Sequence, residues 1–200
     1  MSKRSLPEIN AGSMADIAFL LLIFFLVTTT MDVDSGIFKK LPDKQERPPI
    51  DHLAKNTLEI YINKNNKVRV DDEEINLDDL KQMALNFIDN GGGLDVNKQP
   101  CTWCKGKKDP KSSDHPSKAV IAIESDRLAT YETYVSVLDQ VNSAYTILRN
   151  RFSLEKYNTS YTEFTAKLQE HPKNKEVLMN KIQDIRSKYP QLVADVEQNN

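Results

Sequence analysis

Two groups of residues in this 200-residue chain have types and spacing suited to chemistry. The first is a single carboxylate, Asp16, near the start of the stretch SMADIAFLLLIFFLVTTTM, residues 13–31. An acid on an apolar helix can relay a proton when it lies within a membrane. The second is the pair Cys101 and Cys104 in PCTWCKGKK. Its CxxC spacing fits thiol redox chemistry, half of a zinc site or a local disulfide.

The apolar stretch is too short to cross a membrane unless it includes Asp16. Residues 17–31 contain 15 positions without a charge, and at about 1.5 Å per residue they cover only about 22 Å. A hydrocarbon core is about 30 Å thick and needs about 20 residues. Extension towards the C-terminus meets Asp32 and Asp34, whereas extension towards the N-terminus meets one acid. We therefore expect a membrane helix over residues 13–31 with Asp16 inside it.

The alternative is that Asp16 lies at the membrane surface, where it complements the positive end of the helix dipole. If it lies inside, Leu20, Ile23 and Val27 share its helical face. The predicted helix carries no basic residue that could pair with Asp16. Because one helix cannot enclose a pore, a functional Asp16 requires membrane helices from other subunits.

The composition argues against several classes of function. The chain has 27 basic and 29 acidic residues and a net charge of −2, which provides no basic stripe for nucleic acid. The sequence contains no nucleophile elbow, metal-type His pair or phosphate-binding Gly loop. We therefore predict that the protein is not an enzyme, binds no nucleic acid and uses no metal or cofactor.

The cysteine pair leaves alternatives open. Two cysteines are too few for a disulfide framework but can form one local bridge in an oxidising compartment. They lie in a loop rich in Gly, Pro and Lys, whereas a redox site places its first cysteine at a helix start after a strand. A zinc site would need further ligands, such as His115 or His52. We favour a structural disulfide over a zinc site, a redox site or free thiols.

The remainder of the chain divides into segments of different composition. Residues 1–12 are a short polar segment. Residues 32–56 are predicted to form a tether rich in proline and charge, whose length at full extension is roughly 75 Å. Residues 57–150 are predicted to form an α+β domain with a polar insert at 91–117. Residues 151–200 are predicted to form an amphipathic helical extension.

The elements of the α+β domain follow from periodicity. NTLEIYIN and KVRV alternate as paired strands around a KNN turn, and KAVIAIE is an apolar run typical of a buried strand. Helices are predicted from Leu77 to about Asp89, capped by Asn76, and from Tyr131 to about Asn150. The stretch DDEE before the first of these helices is interpreted as a solvated turn.

The extension has a near-heptad apolar stripe. Pro172 and Pro190 are expected at helix starts. The stripe either packs a helical pair on the domain or provides a docking helix for a partner. Its members are Leu178, Ile182, Ile185, Tyr189, Leu192 and Val196.

The stretch INAGSMADIAFLLLIFFLV resembles the membrane segment of the ExbD/TolR biopolymer-transport proteins, in which an Ile-Asn pair precedes a membrane-embedded Asp. KKLP resembles the Leu-Pro element that opens the tether of this family, here Leu41 and Pro42. IAIESDRLATYETYVSVLDQV is similar to its last strand, the turn and the start of the next helix. The resemblance covers about residues 5–150 without the insert. The family also has a short strand after its last helix, but YTILRNRFSLEKYN is predicted to continue as helix.

The resemblance implies a single transmembrane helix plus a small α+β periplasmic domain, in a single-pass inner-membrane protein with a cytoplasmic N-terminus. It implies a subunit of a proton-driven motor that energises TonB-dependent transport across the outer membrane. Asp16 would carry the proton, and Leu20, Ile23 and Val27 would face the pore. The implied partners are an ExbB-like polytopic oligomer, a second copy or an ExbD paralogue, and a TonB-like protein. The alternative within the family is a TolR-like tethered module for envelope integrity.

Overall fold

The computed structural model describes residues 11–28, 54–170 and 173–196. The chain divides into two units, Met1–Arg47 and Pro48–Asn200, which are described separately. The described part of the first unit is helix α1, Ala11–Thr28. Among the residues that the structure describes, no helix has the combination of length and apolarity that a membrane span requires. The last part of the predicted span, residues 29–31, lies outside the described residues.

In the second unit, the described residues form a mixed sheet with helices. The strands are β1 (Thr57–Ile62), β2 (Val68–Val70), β3 (Glu73–Ile75), β4 (Val120–Ser125) and β5 (Val193–Val196). The helices are α2 (Leu77–Ile88), α3 (Tyr131–Tyr157), α4 (Tyr161–Gln169) and α5 (Lys175–Lys188), and a 3₁₀ turn, Ala54–Asn56, precedes β1. The strand order is β3-β2-β1-β4-β5. Strand β4 is parallel to β1 and β5, whereas β2 is antiparallel to β1 and β3.

The core lies between the sheet and the helices α2 and α3. Alternation in β1 points Leu58, Ile60 and Ile62 inward, and the register places Leu58 beside Ile121 and Ile60 beside Ile123. The buried side chains from the helices that join them are Leu80, Ala84, Phe87, Ile88, Val137, Leu138, Val141, Ala144, Tyr145 and Leu148. The prediction of a small α+β domain is therefore confirmed.

The helix boundaries depend on local capping signals. Asn76 occupies the N-cap position of α2, as predicted, but its side chain makes no capping hydrogen bond. The Thr130 side chain accepts a hydrogen bond from the Thr133 backbone N–H and caps α3. Helix α3 passes the end expected near residue 150 and continues to Tyr157, as the helical interpretation of residues 145–158 predicted. No Gly or Pro interrupts the sequence before Asn158, where the backbone turns left-handed with φ of 52°.

The prediction for the C-terminal segment is right for α4 and α5 and wrong after α5. Pro190 follows α5 instead of starting a helix, and Leu192 and Val196 do not continue the helical stripe. Proline disfavours the helical conformation of the residue before it, here Tyr189, so the helix ends. Residues 193–196 then pair with β4 as strand β5. Pro172 lies outside the described residues.

Strand β5 changes the interpretation of the family resemblance. The resemblance led us to expect a short strand after the last helix, and the sequence around residues 145–158 indicated continued helix. Both features are present, because α3 continues and the strand arrives after the pair α4 and α5. The final strand therefore comes after α5 and lies at the edge of the sheet.

The burial of the core residues predicts that two aliphatic truncations have very different effects on the free energy of unfolding. Ile123→Ala removes a side chain that is 1% exposed, whereas Leu128→Ala shortens one that is 74% exposed. We expect Ile123→Ala to lower the free energy of unfolding by about 2–5 kcal/mol, and Leu128→Ala to change it by less than about 0.5 kcal/mol. Urea unfolding of the full-length chain, followed by circular dichroism, measures both. Equal effects of the two variants would contradict the assigned core.

Candidate functional site

Helix α1 contains the acid predicted to carry a proton and the residues predicted to share its face of the helix. Asp16, Leu20 and Ile23 lie in α1 and have exposed side chains. Steps of three and four residues place them on one side of the helix. Val27 is also in α1, but its side chain lies outside the described part of the structure, as do the predicted tether residues at positions 41 and 42.

The cysteine pair forms a disulfide. Cys101 and Cys104 are joined with their Cα atoms 5.6 Å apart, and they are only 5% and 8% exposed. Sulfurs in a disulfide cannot act as thiolate ligands of zinc, and no group of His, Cys, Asp or Glu in the described residues is arranged to hold a metal. Burial also disfavours a thiol-exchange enzyme, which needs an accessible, activated thiol.

A buried polar cluster lies next to the disulfide, and sequence analysis did not predict it. Its centre is Asp89, directly after α2, which is 5% exposed. The Asp89 Oδ1 atom accepts hydrogen bonds from the Tyr189 hydroxyl and from Arg151 Nη2, each at 2.7 Å. The Oδ2 atom accepts one from the Lys105 backbone N–H at 3.1 Å. The cluster therefore joins α2, the insert, α3 and the residue after α5.

Burial and hydrogen bonding set the protonation of this cluster. Burial is the largest cause that raises the pKa of the Tyr189 hydroxyl well above its usual range, and the hydrogen bond to Asp89 adds to it. Burial opposes the charged form of Arg151, but the hydrogen bonds and charges of Asp89 and Tyr189 together raise its pKa. Both donors thus keep their protons, and the cluster acts as a fixed hydrogen-bond junction.

A second buried junction ties the start of the sheet to the insert. The Asn56 side chain donates to Asp114 Oδ2 at 3.1 Å and accepts from the Asp114 backbone N–H at 2.7 Å. Lys55 forms an ion pair with Asp114 at 2.6 Å. Burial raises the pKa of Asp114, but the hydrogen bonds from Lys55 and Asn56 outweigh it, and the net pKa is lowered. The carboxylate therefore stays ionised.

His115 completes this region in its neutral form. Its Nδ1 accepts the Ser117 backbone N–H at 3.1 Å, and its ring lies edge-on to Trp103, with centroids 5.3 Å apart. Burial is the largest cause and lowers the pKa of His115. The negative charge of Asp95 opposes this shift, and the positive charges of Lys118 and Lys188 add to it. Protonation at Nδ1 would remove the acceptor for Ser117.

We expect this histidine to make stability depend on pH. A pKa lowered in the folded state gives a contribution that is present above the unfolded value, about 6.5, and is lost as the pH falls through the folded value. The free energy of unfolding should therefore decrease between about pH 7.5 and about pH 5. His115→Asn keeps an acceptor for Ser117 but does not titrate, so it should flatten this decrease. Urea unfolding at both pH values measures it, and an unchanged slope in the variant would refute the assignment.

In the described residues, the polar clusters at Asp89 and Asp114 connect parts of the fold, and neither contains a nucleophile–base pair. The comparison with known families identifies the chain more directly. A family model described as biopolymer transport protein ExbD/TolR matches residues 2–152. That span includes α1, strands β1 to β4, α2 and most of α3, and it leaves out α4, α5 and β5. No curated protein matches the chain significantly. Because the match covers about three quarters of the sequence, the chain belongs to the ExbD/TolR family of biopolymer transport proteins.

Proposed function

We propose that the chain is the ExbD-like subunit of an inner-membrane, proton-driven motor that energises TonB-dependent transport across the outer membrane. The observation that carries the proposal is the family match over residues 2–152, which includes α1 and its acid, Asp16. Family membership supports a role in energising biopolymer transport, and members of the family are non-enzymatic accessory proteins of the inner membrane with periplasmic domains.

In this proposal, the single membrane span is residues 13–31, of which residues 13–28 lie in α1, and Asp16 carries the proton. Large apolar side chains are exposed around α1, which suits a helix surrounded by lipid and other helices. A lone acid on such a helix needs a partner from another subunit, and an ExbB-like oligomer supplies the enclosing helices. The driving force is adequate, because one charge that crosses about 100 mV releases about 2.3 kcal/mol.

The folded domain lies on the periplasmic side in this proposal, with the N-terminus in the cytoplasm. The disulfide between Cys101 and Cys104 supports this orientation, because disulfides persist in oxidising compartments such as the periplasm. The tether predicted over residues 32–56 lets the domain act away from the membrane surface, except that residues 54–56 belong to the folded domain. Leu41 and Pro42 form the element of the tether that contacts a partner protein. A TonB-like protein and a second copy or paralogue of the chain receive the motion.

The substitution Asp16→Asn tests the proton-carrying role. It keeps the size and most polarity of the side chain but cannot bind and release a proton near neutral pH. We expect at least about a tenfold loss of TonB-dependent uptake, with normal protein level and normal co-purification of the ExbB-like partner. Uptake of a radiolabelled iron chelate by cells that carry each variant measures this.

The control is Asp78→Asn, an equivalent change at an exposed position in the first turn of α2. It should leave uptake unchanged. Normal uptake with Asp16→Asn would show that this carboxylate carries no proton for transport. If Asp16→Asn instead causes leakage of periplasmic proteins and the chain co-purifies with TolQ-like and TolA-like partners, the TolR-like role in envelope integrity is the correct one.

A further inference from the structure

We propose that the disulfide loop, residues 101–106, is a redox-dependent docking site for the chain's own C-terminal segment, residues 188–196. Formation of the disulfide positions the loop, the loop holds Lys188 and Tyr189, and β5 can then complete the sheet. This inference is independent of the proposed transport role.

The first link between loop and segment is an aromatic contact. Trp103 lies between the two cysteines, and Lys188 Nζ sits 4.4 Å from the centre of its indole ring. The other side of the contact is α3, where the Phe152 ring packs edge-on to Trp103 with centroids 6.4 Å apart. An ammonium group over an indole face is stabilised by the ring quadrupole. The loop thus presents Trp103 to the last residue of α5.

The second link runs through Asp89. The loop donates two backbone hydrogen bonds to it, from Lys105 N–H to the carboxylate at 3.1 Å and from Gly106 N–H to the main-chain carbonyl at 3.0 Å. The same carboxylate accepts the Tyr189 hydroxyl. Without the loop donors, Asp89 would need water, and water at Asp89 competes with Tyr189. Ordered loop donors therefore favour the bound state of Tyr189.

From Tyr189 the contacts continue into the sheet. The Tyr189 carbonyl accepts two hydrogen bonds from the buried Arg149, at 3.1 and 2.8 Å. The Leu192 backbone N–H donates to the Tyr145 hydroxyl at 3.3 Å, and the Leu192 carbonyl accepts from Ile121 N–H at 2.9 Å. Strand β5 begins at the next residue, Val193. The binding of Tyr189 thus sets the position from which β5 pairs with β4.

The disulfide restricts the part of the loop that carries Trp103, because the ring runs from Cys101 to Cys104. The disulfide packs against Gly91, where φ is +63° and an added Cβ would lie 2.8 Å from the Cys104 Cβ. At Gly106, any Cβ would collide with the Asp89 carbonyl oxygen. The loop therefore follows one narrow path across the end of α2. Closure of the ring between the cysteines removes the alternative paths from the unfolded ensemble.

The redox step is a thiol–disulfide exchange. A protein oxidase that carries a disulfide accepts two electrons, and its S–S bond breaks into two thiols. In the same exchange the S–S bond between Cys101 and Cys104 forms, and the two cysteine protons pass to the oxidase sulfurs. Before this exchange, the edge of β4 lacks its partner, and an unpaired edge is a template for other strands. Oxidation therefore covers the edge of β4 with β5, which becomes the edge strand of the sheet.

Hydrogen–deuterium exchange of the full-length chain tests the proposal. In the oxidised protein, amides of residues 188–196 should be protected. In the double variant Cys101→Ser/Cys104→Ser, and in the wild type treated with a phosphine reductant, these amides should exchange at least about tenfold faster. Amides of β1 and β2 should keep their rates. The reductant should have no effect on the double variant.

A second pair of variants separates the docking contact from general loss of folding. Tyr189→Phe removes the hydroxyl that binds Asp89 and leaves the disulfide intact, so residues 188–196 should exchange about five to ten times faster. Tyr131→Phe, at an exposed tyrosine, should have no such effect. If the double variant unfolds throughout, the comparison of Tyr189→Phe with Tyr131→Phe decides the docking contact, and the wild type treated with the phosphine reductant decides its redox dependence. Unchanged protection of the C-terminal segment in Tyr189→Phe, or in a reduced protein that stays folded, would overturn the proposal.

Discussion

The parallel pairing of β1 with β4 is the constraint on which the rest of the domain depends. Parallel neighbours cannot be joined by a tight turn, so the chain must cross over between them. The crossover consists of the β2–β3 hairpin, α2 and the polar insert, and it delivers the chain back to the amino end of β4. Strand β5 is parallel to β4, so its amino end lies at the same end of the sheet. The insert and the start of the C-terminal segment, residues 188 and 189, therefore lie close together.

This topology explains why the buried polar groups lie together at the end of the sheet where β1, β4 and β5 begin. The amino end of β1 brings Asn56 to Asp114, and the end of α2 brings Asp89 to Tyr189. A buried carboxylate is costly unless its oxygens are hydrogen-bonded, and breaking such a pair costs about 3–5 kcal/mol. The Asp89 carboxylate has donors from three segments, whereas the Asp114 carboxylate has two donors from one segment, Lys55 and Asn56. The hydrogen bonds at this end of the sheet thus hold four stretches of chain together: residues 54–56, 89–90, 101–115 and 188–192.

The parts of the fold that sequence predicted are those with local periodicity. Alternation located β1 and β2, and helical spacing located α2 and α3, because burial on one face leaves a repeat within a few residues. A continuous apolar run located β4. Two edge strands were missed. Glu73 and Glu74 were interpreted as part of a solvated turn, and Leu192 and Val196 as helix. Strands of three or four residues carry too little pattern, and their pairing partners lie elsewhere in the chain. The Asp89–Tyr189 contact spans 100 residues, and nothing local marks it.

The two candidate groups, Asp16 and the cysteine pair, differ in how much of their role can be predicted from sequence alone. Asp16 is conspicuous because an acid is rare in an apolar run, and the family match gives that run a context. The cysteines are conspicuous by spacing, yet their role depends on Asp89, Trp103 and Tyr189. The match ends at residue 152, inside α3, but the sheet is completed by β5 beyond it. The residues after the matched region are therefore part of the same core, because Tyr189 and Val193 pack into it. A truncation after residue 152 would remove an edge strand and leave Asp89 without Tyr189.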